Sequence, residues 1–273
     1  MNYVELINGV KMPQLGLGVY KMTNPTETIS AVTKALEIGY QSIDTASFYE
    51  NELEVGQAIK SSAISRKDLF VTTKVWNNEQ GYDETLRAFE RSLKRLGLDY
   101  IDLYLIHWPV PNTFVETYRA IERLYEEKLI RATGVSNHHE SHILKLKNNA
   151  NIPPMVNQVE CHPYLQQREL LNYCKKNKMI LTAWSPLGKG EALKNPIIKN
   201  IAQKHEKTPA QIILKWHLNR GIVAIPKSIT PSRIKENFEV FDFSLDSKDM
   251  SDLLQLDSDK RFGRNPDSND FNF

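Results

Sequence analysis

Cysteine is scarce: Cys161 and Cys174 are the only two in 273 residues, too few for a disulfide framework. Their scarcity points to a reducing compartment, and Met1-Asn2-Tyr3-Val4-Glu5 has none of the pattern of a signal peptide. No apolar run approaches the roughly 20 residues that cross a bilayer. Charge of one sign is lacking too, because Lys and Arg total 35 against 33 Asp and Glu. A net charge of +2 gives no general attraction to nucleic acid or to a membrane surface, so any anion site must be local. Glycine-rich phosphate loops are also missing. Gly16-Leu17-Gly18 lacks the third glycine of G-x-G-x-x-G, Gly188-Lys189-Gly190 lies late in the chain, and no Walker P-loop occurs. An open, doubly wound nucleotide-binding sheet is disfavoured by that absence. The expectation is a cytoplasmic monomer whose partner is a small molecule.

What the chain does contain is a rhythm. Val4 to Ile7 and Val10 to Met12 flank Asn8-Gly9, a dipeptide suited to a tight hairpin turn. Leu15 to Val19 is a short strand candidate whose two glycines permit close backbone approach or a bulge. Further strand-like runs start near Gln41, Leu69, Ile101, Ile130, Met155, Ile180 and Ile222. Helical periodicity fills the intervals, most clearly from Gly81 to Leu96, where Leu86, Phe89, Leu93 and Leu96 share a face and Gly97 supplies a stop. Thr113 to Glu127 and Gln166 to Lys176 behave alike, and Thr208-Pro209 opens another helix. Eight strand–helix alternations with no low-complexity linker predict an α/β fold, a (β/α)8 barrel forming one domain over residues 1–273. The hairpin precedes the barrel. The longest interval, from Ile180 to Ile222, marks an insertion after the seventh strand.

Function in such barrels collects at the carboxyl ends of the strands. Those ends carry Asp44, Lys74, His107, Ser136-Asn137, Gln158 with Glu160, Trp184-Ser185 and Lys227-Ser228. Singly, Lys74 reads as a snorkelling lysine and His107 as a core histidine. Converging at one mouth, ionisable groups perturb one another and become candidates for catalysis. Tyr49 follows Asp44 by five positions. A lysine beside that phenol is expected to lower its pKa from about 10 toward neutrality. An aspartate keeps the lysine charged, and a neutral imidazole polarises a carbonyl, so the four together can donate a proton to an oxyanion.

A second constellation runs from Ile225 to Asn237. Pro231 is expected to open a helix capped by Thr230, with Lys227, Ser228 and Arg233 beside its N-terminus, a phosphate-binding arrangement. Trp76, Trp108 and Trp184 each either wall a pocket or pack at the rim. His138, His139 and His142 are expected to be surface histidines at a helix start, Pro163 marks a turn after Cys161-His162, and no metal is expected.

Several motifs stand in a fixed order: Ile43-Asp44-Thr45-Ala46, Tyr49-Glu50-Asn51-Glu52, Thr73-Lys74-Val75-Trp76 and Asp102-Leu103-Tyr104-Leu105-Ile106-His107-Trp108-Pro109. Gly134-Val135-Ser136-Asn137, Asn157 to Pro163 and Ile225 to Asn237 follow. Together they resemble the aldo-keto reductases, essentially end to end, and the bacterial diketogluconate and glyoxal–methylglyoxal reductases in particular. The resemblance implies NADPH bound without a Rossmann domain and a catalytic tetrad at Asp44, Tyr49, Lys74 and His107. It implies that Ser136, Asn137 and Gln158 hold the nicotinamide carboxamide, with Trp184 stacked where many members place tyrosine. Lys227, Ser228, Arg233, Glu236 and Asn237 match contacts to the adenosine and its 2′-phosphate, and Gly18, Ser185 and Leu187 are further cofactor positions. Tyr20, Trp76, His107 and Trp108 are implied to shape the substrate pocket. The short tail after Leu256, ending Asp267 to Phe273, implies an open pocket for small carbonyls, among them methylglyoxal, glyoxal and keto sugars. Two alternatives stand beside reduction: oxidation of an alcohol or sugar with NADP+, and a cofactor-sensing accessory subunit. The intact tetrad and the lack of an extended N-terminal segment count against the second.

Overall fold

The computed structural model describes residues 2–268. Tyr3–Glu5 (β1) and Lys11–Pro13 (β2) form the expected hairpin, with Gly9 at φ 82° in its turn. Then come eight parallel strands: Leu17–Gly18 (β3), Ser42–Asp44 (β4), Phe70–Val75 (β5), Ile101–Ile106 (β6), Ile130–Ser136 (β7), Val156–Glu160 (β8), Ile180–Trp184 (β9) and Val223–Ala224 (β10). Each pairs with its sequence neighbour. The sheet closes where the Gly16 N–H donates to Ala224 O at 3.0 Å and the Gly18 N–H to Pro226 O at 3.1 Å. Gly18 is required at this seam, because a Cβ there would stand 2.9 Å from the Ile225 carbonyl oxygen. The close approach is that of a neighbouring strand.

Pro25–Ile38 (α1), Glu52–Ser61 (α2), Tyr82–Leu96 (α3), Phe114–Glu126 (α4), Glu140–Lys147 (α5) and Arg168–Lys176 (α6) follow β3 to β8 in turn. After β9 the insertion contributes Pro196–Lys204 (α7) before Pro209–Asn219 (α8). Pro231–Phe238 (α9) and Ser247–Leu254 (α10) end the regular structure. Boundaries fall where local chemistry puts them. Gly97 ends α3 at φ 62°, and Thr208 opens α8 with a reciprocal cap to Gln211. Every residue of β4, β5, β6 and β8 is buried, as expected for strands lined by helices outside and packed side chains within.

Candidate active site

β4 delivers Asp44 to the mouth of the barrel, and the chain then tightens into a single turn, Ser47–Tyr49, closed by Glu50 at φ 56°. This turn swings Tyr49 back over the end of β5. Lys74, the penultimate residue of β5, is completely buried and meets it there. Its Nζ donates to Asp44 Oδ1 at 2.6 Å and Thr45 O at 2.8 Å, and lies 3.3 Å from Tyr49 Oη. Gln158 from β8 donates to the other Asp44 oxygen at 2.6 Å. Asp44 is thus satisfied on both oxygens, as a buried carboxylate must be. His107 follows β6, its ring 5.7 Å from that of Tyr49 and edge-on to it. Its Nδ1 is buried without a partner among the described residues, which leaves Nε2 as the nitrogen at the cavity.

Burial governs the electrostatics. It pushes His107 well below the ordinary imidazole range, with Lys74 adding to the shift, so the ring is neutral. Lys74 is pulled down by burial and held up by Asp44, first through the charge and then through the hydrogen bond. Tyr49 moves opposite to the sequence expectation: burial and then the Asp44 charge raise its pKa well above 10.0. The lysine is close enough to stabilise phenolate, but desolvation of the phenol outweighs it. Tyr49 therefore rests protonated.

Aromatic rings wall this end. Phe48 stacks on Trp76 at 3.8 Å between centroids and 16° between planes, Trp76 stands edge-on to His107 at 4.8 Å, and Tyr20 leans on Tyr49 at 4.9 Å. On the opposite side the Trp184 indole N–H donates to Asn137 Oδ1 at 2.8 Å. The Asn137 amide donates to His107 O at 3.0 Å and lies 3.2 Å from Ser136 Oγ, so that amide is spent on the protein itself.

From here one groove of about 930 Å³ runs to the loop between β10 and α9. Ser228 Oγ accepts the Thr230 N–H at 3.1 Å, whereas the Thr230 side chain makes no capping bond. The expected Thr230 cap is thus corrected: a serine two residues earlier organises the loop, and the first turn of α9 has no side-chain cap. Lys227 and Arg233 are exposed and form no ion pair among the described residues. Glu236 accepts a hydrogen bond from Thr208 at 2.8 Å, and the buried Asn237 amide has no hydrogen bond within the described chain.

Of the site residues singled out in the sequence, the groove gathers all but Lys74, which stands behind Tyr49, and Glu160: Gly18, Tyr20, Trp108, Ser185 and Leu187 line it with the rest. Phe48, Lys189 and Phe262 to Arg264 line it too and were not anticipated. Phe48, an apolar residue in the polar stretch before Tyr49, was the available signal. The tail, though short, reaches the site because Glu160 accepts the N–H groups of Phe262 at 2.7 Å and Gly263 at 2.9 Å. Its residues 269–273 lie outside the described ones. One histidine departs from expectation. His138 is not at the surface but fully buried, 2.8 Å from Ser136 O, and burial takes its pKa down to about 3. Its neighbours His139 and His142 are half-buried.

The Aldo/keto reductase family profile matches residues 12–258. The 9,11-endoperoxide prostaglandin H2 reductase of Trypanosoma cruzi is 53% identical over 98% of this chain and 95% of its own length. The glyoxal reductase of Bacillus subtilis is also 53% identical, over 97% and 96%. A solved structure of a Gox0644 variant in complex with NADPH superposes with a TM-score of 0.94 at 42% identity, covering 98% of both chains. Barrel, groove and near full-length similarity agree: this chain is an oxidoreductase and belongs to the aldo/keto reductase family.

Proposed function

We propose that this protein reduces small aldehydes and ketones to alcohols with NADPH, Tyr49 serving as proton donor. α-Dicarbonyls such as methylglyoxal and glyoxal are the favoured substrates. The observation that carries this reading is the Tyr49 hydroxyl 3.3 Å from a buried lysine, at the end of a long groove. Two relatives with the same 53% identity are named for substrates as unlike as glyoxal and a prostaglandin endoperoxide. Identity therefore does not select the substrate, and the choice rests on the aromatic walls of Phe48, Trp76 and Tyr20 around His107 and Tyr49.

The groove suits the cofactor chemically. Lys227, Arg233, Ser228 and the uncapped first turn of α9 would hold its 2′-phosphate, and the unpartnered Asn237 amide with Glu236 would meet the adenosine. Ser136 Oγ and Gln158 Oε1 keep acceptor capacity for a carboxamide, while Asn137 holds the Trp184 ring that would stack on the nicotinamide. Bound NADPH supplies the hydride. His107 donates from Nε2 to the carbonyl oxygen and orients it. Tyr49 gives its proton to that oxygen as negative charge develops there, and the Lys74 ammonium stabilises the phenolate left behind. Asp44 keeps Lys74 charged. Solvent then returns a proton to Tyr49. The test is NADPH consumption with a panel of small aldehydes and dicarbonyls. Tyr49→Phe should lose roughly 10²–10⁴-fold in turnover, as expected for removal of a general acid. Full turnover by that variant would refute the assignment.

A further inference from the structure

We infer that Glu79 is a positioning residue for the proton donor: it bolts the turn that carries Tyr49 to the strand end that carries Trp76. Glu79 lies in the short turn Asn77–Glu79 just past β5, its side chain largely buried. One oxygen, Oε2, accepts the Ser47 hydroxyl at 2.7 Å and the Trp76 N–H at 3.3 Å. The other accepts from Arg91 of α3 at 2.8 Å. Burial acts to raise its pKa, but the bonds from Arg91, Ser47 and Trp76 outweigh it and hold the carboxyl below its ordinary value. The group is ionised, so all three bonds are charge-assisted.

The geometry matters because Ser47 begins the turn that ends at Tyr49. That turn is only three residues long and has no side-chain cap of its own. Apart from the contacts of Tyr49 and Phe48 themselves, Ser47 is its tie to β5: the Ser47 hydroxyl also lies 3.1 Å from Lys74 O. The stacked Phe48–Trp76 pair bridges the same two segments, and Glu79 holds the backbone N–H of Trp76 and the side chain of Ser47, the residue before Phe48. A single carboxylate thereby sets the distance between the phenol on one segment and the ammonium and imidazole on the others. Proton transfer is steep in such distances. A displacement of about 1 Å at a reacting centre costs on the order of 10²-fold in rate.

This inference rests on Tyr49 being the proton donor, so the experiment carries a control for it. Wild type, Glu79→Ala, Glu79→Gln, Ser47→Ala and Tyr49→Phe are compared for kcat and KM with methylglyoxal and for NADPH affinity and binding stoichiometry. Glu79→Ala should lose roughly 10- to 100-fold in kcat, with NADPH affinity and stoichiometry unchanged, since the groove's phosphate end lies on other strands. Glu79→Gln retains an acceptor toward Ser47 and Trp76 and should recover most of the loss. Ser47→Ala should reproduce the defect and, combined with Glu79→Ala, add little, as expected for partners in one interaction. If Glu79→Ala does not fold, Ser47→Ala carries the test alone. Unchanged kcat in Glu79→Ala and Ser47→Ala beside an inactive Tyr49→Phe overturns the inference. So does a kcat loss that merely follows the NADPH-binding fraction and is not recovered by Gln. An active Tyr49→Phe fails the underlying assignment instead, and the inference with it.

Discussion

Deleting Asp44 strands a charge. In the folded protein Lys74 is wholly inaccessible, and the only ion pair it makes among the described residues is with Asp44 at 2.6 Å. Asp44→Ala leaves an ammonium with a carbonyl and a phenol but no ion-pair partner in contact, only the charge of Glu52 farther off. Removing one partner of a buried pair typically costs about 3–5 kcal/mol. An independent route gives the same size: the fold can escape by neutralising the lysine, which from an unfolded pKa of about 10.4 costs about 4.6 kcal/mol at pH 7. Replacing the lysine as well, in Asp44→Ala/Lys74→Met, removes that term. The cavity left by Asp44 and the lost acceptor of Gln158 are common to both variants and cancel in the comparison. The double variant should thus be more stable than the single by roughly 3–5 kcal/mol at pH 7, although both are catalytically impaired. The sign with pH is also set. In the single variant the folded-state pKa of Lys74 lies below its unfolded value, so the unfolded chain binds the extra proton and stability rises with pH. The gap should shrink by about 1.4 kcal/mol per unit, to roughly 2 kcal/mol at pH 9. Urea unfolding of both variants at the two pH values measures it. A double variant no more stable than the single, or a gap that does not change with pH, would refute the account of Asp44 as the counter-ion of a charged Lys74.

Other consequences follow from the same site. Arg233→Ala should weaken NADPH by roughly 10- to 150-fold, the worth of a hydrogen-bonded charge pair of about 1.5–3 kcal/mol, and leave NADH almost unaffected; equal losses for both cofactors sink the 2′-phosphate assignment. Because burial holds His107 neutral and Tyr49 protonated, kcat/KM for reduction should show no inflection between pH 6 and 8. An inflection near 6.5 that disappears in His107→Gln would mean the imidazole works charged. At the barrel seam Gly18→Ala should destabilise by about 1–3 kcal/mol, because its Cβ would press the Ile225 carbonyl at 2.9 Å. An unchanged urea midpoint would show that β3 and β10 move apart at little cost.

Legibility in the sequence followed the range of the interactions. Strand and helix periods are local, and every barrel strand begins within a residue or two of where its apolar run begins. The three groups around Tyr49 (Asp44, Lys74 and His107) were legible because the barrel converts strand ends into neighbours, so a list of polar residues at those ends is already a list of contacts. Relations that depend on burial were not. The direction of the Tyr49 shift depends on how deeply the phenol sits against Asp44, and His138 reads as a surface histidine until the loop after β7 is seen to fold it inward. What joins these cases is the work of three carboxylates at the mouth. Asp44 ties β4 to β5 and β8 through Lys74 and Gln158. Glu79 ties the turn after β4 to the end of β5. Glu160 ties β8 to the tail at Phe262 and Gly263 and is itself 3.0 Å from the His162 imidazole. In sequence, Asp44 announces both itself and its partner, a lysine at an equivalent strand end, while Glu160 shows only its place at the end of a strand and Glu79 shows nothing. Besides Arg91 at Glu79 and His162 at Glu160, these two receive hydroxyl and backbone N–H groups, which every segment possesses, so no residue pattern marks the loops they tie. A buried carboxylate with several such donors costs less to hold ionised than to protonate. At Glu79 and Glu160 those donors outweigh burial and hold the carboxyl below its ordinary value, so each fixes a loop near Tyr49 without adding a titration near neutrality.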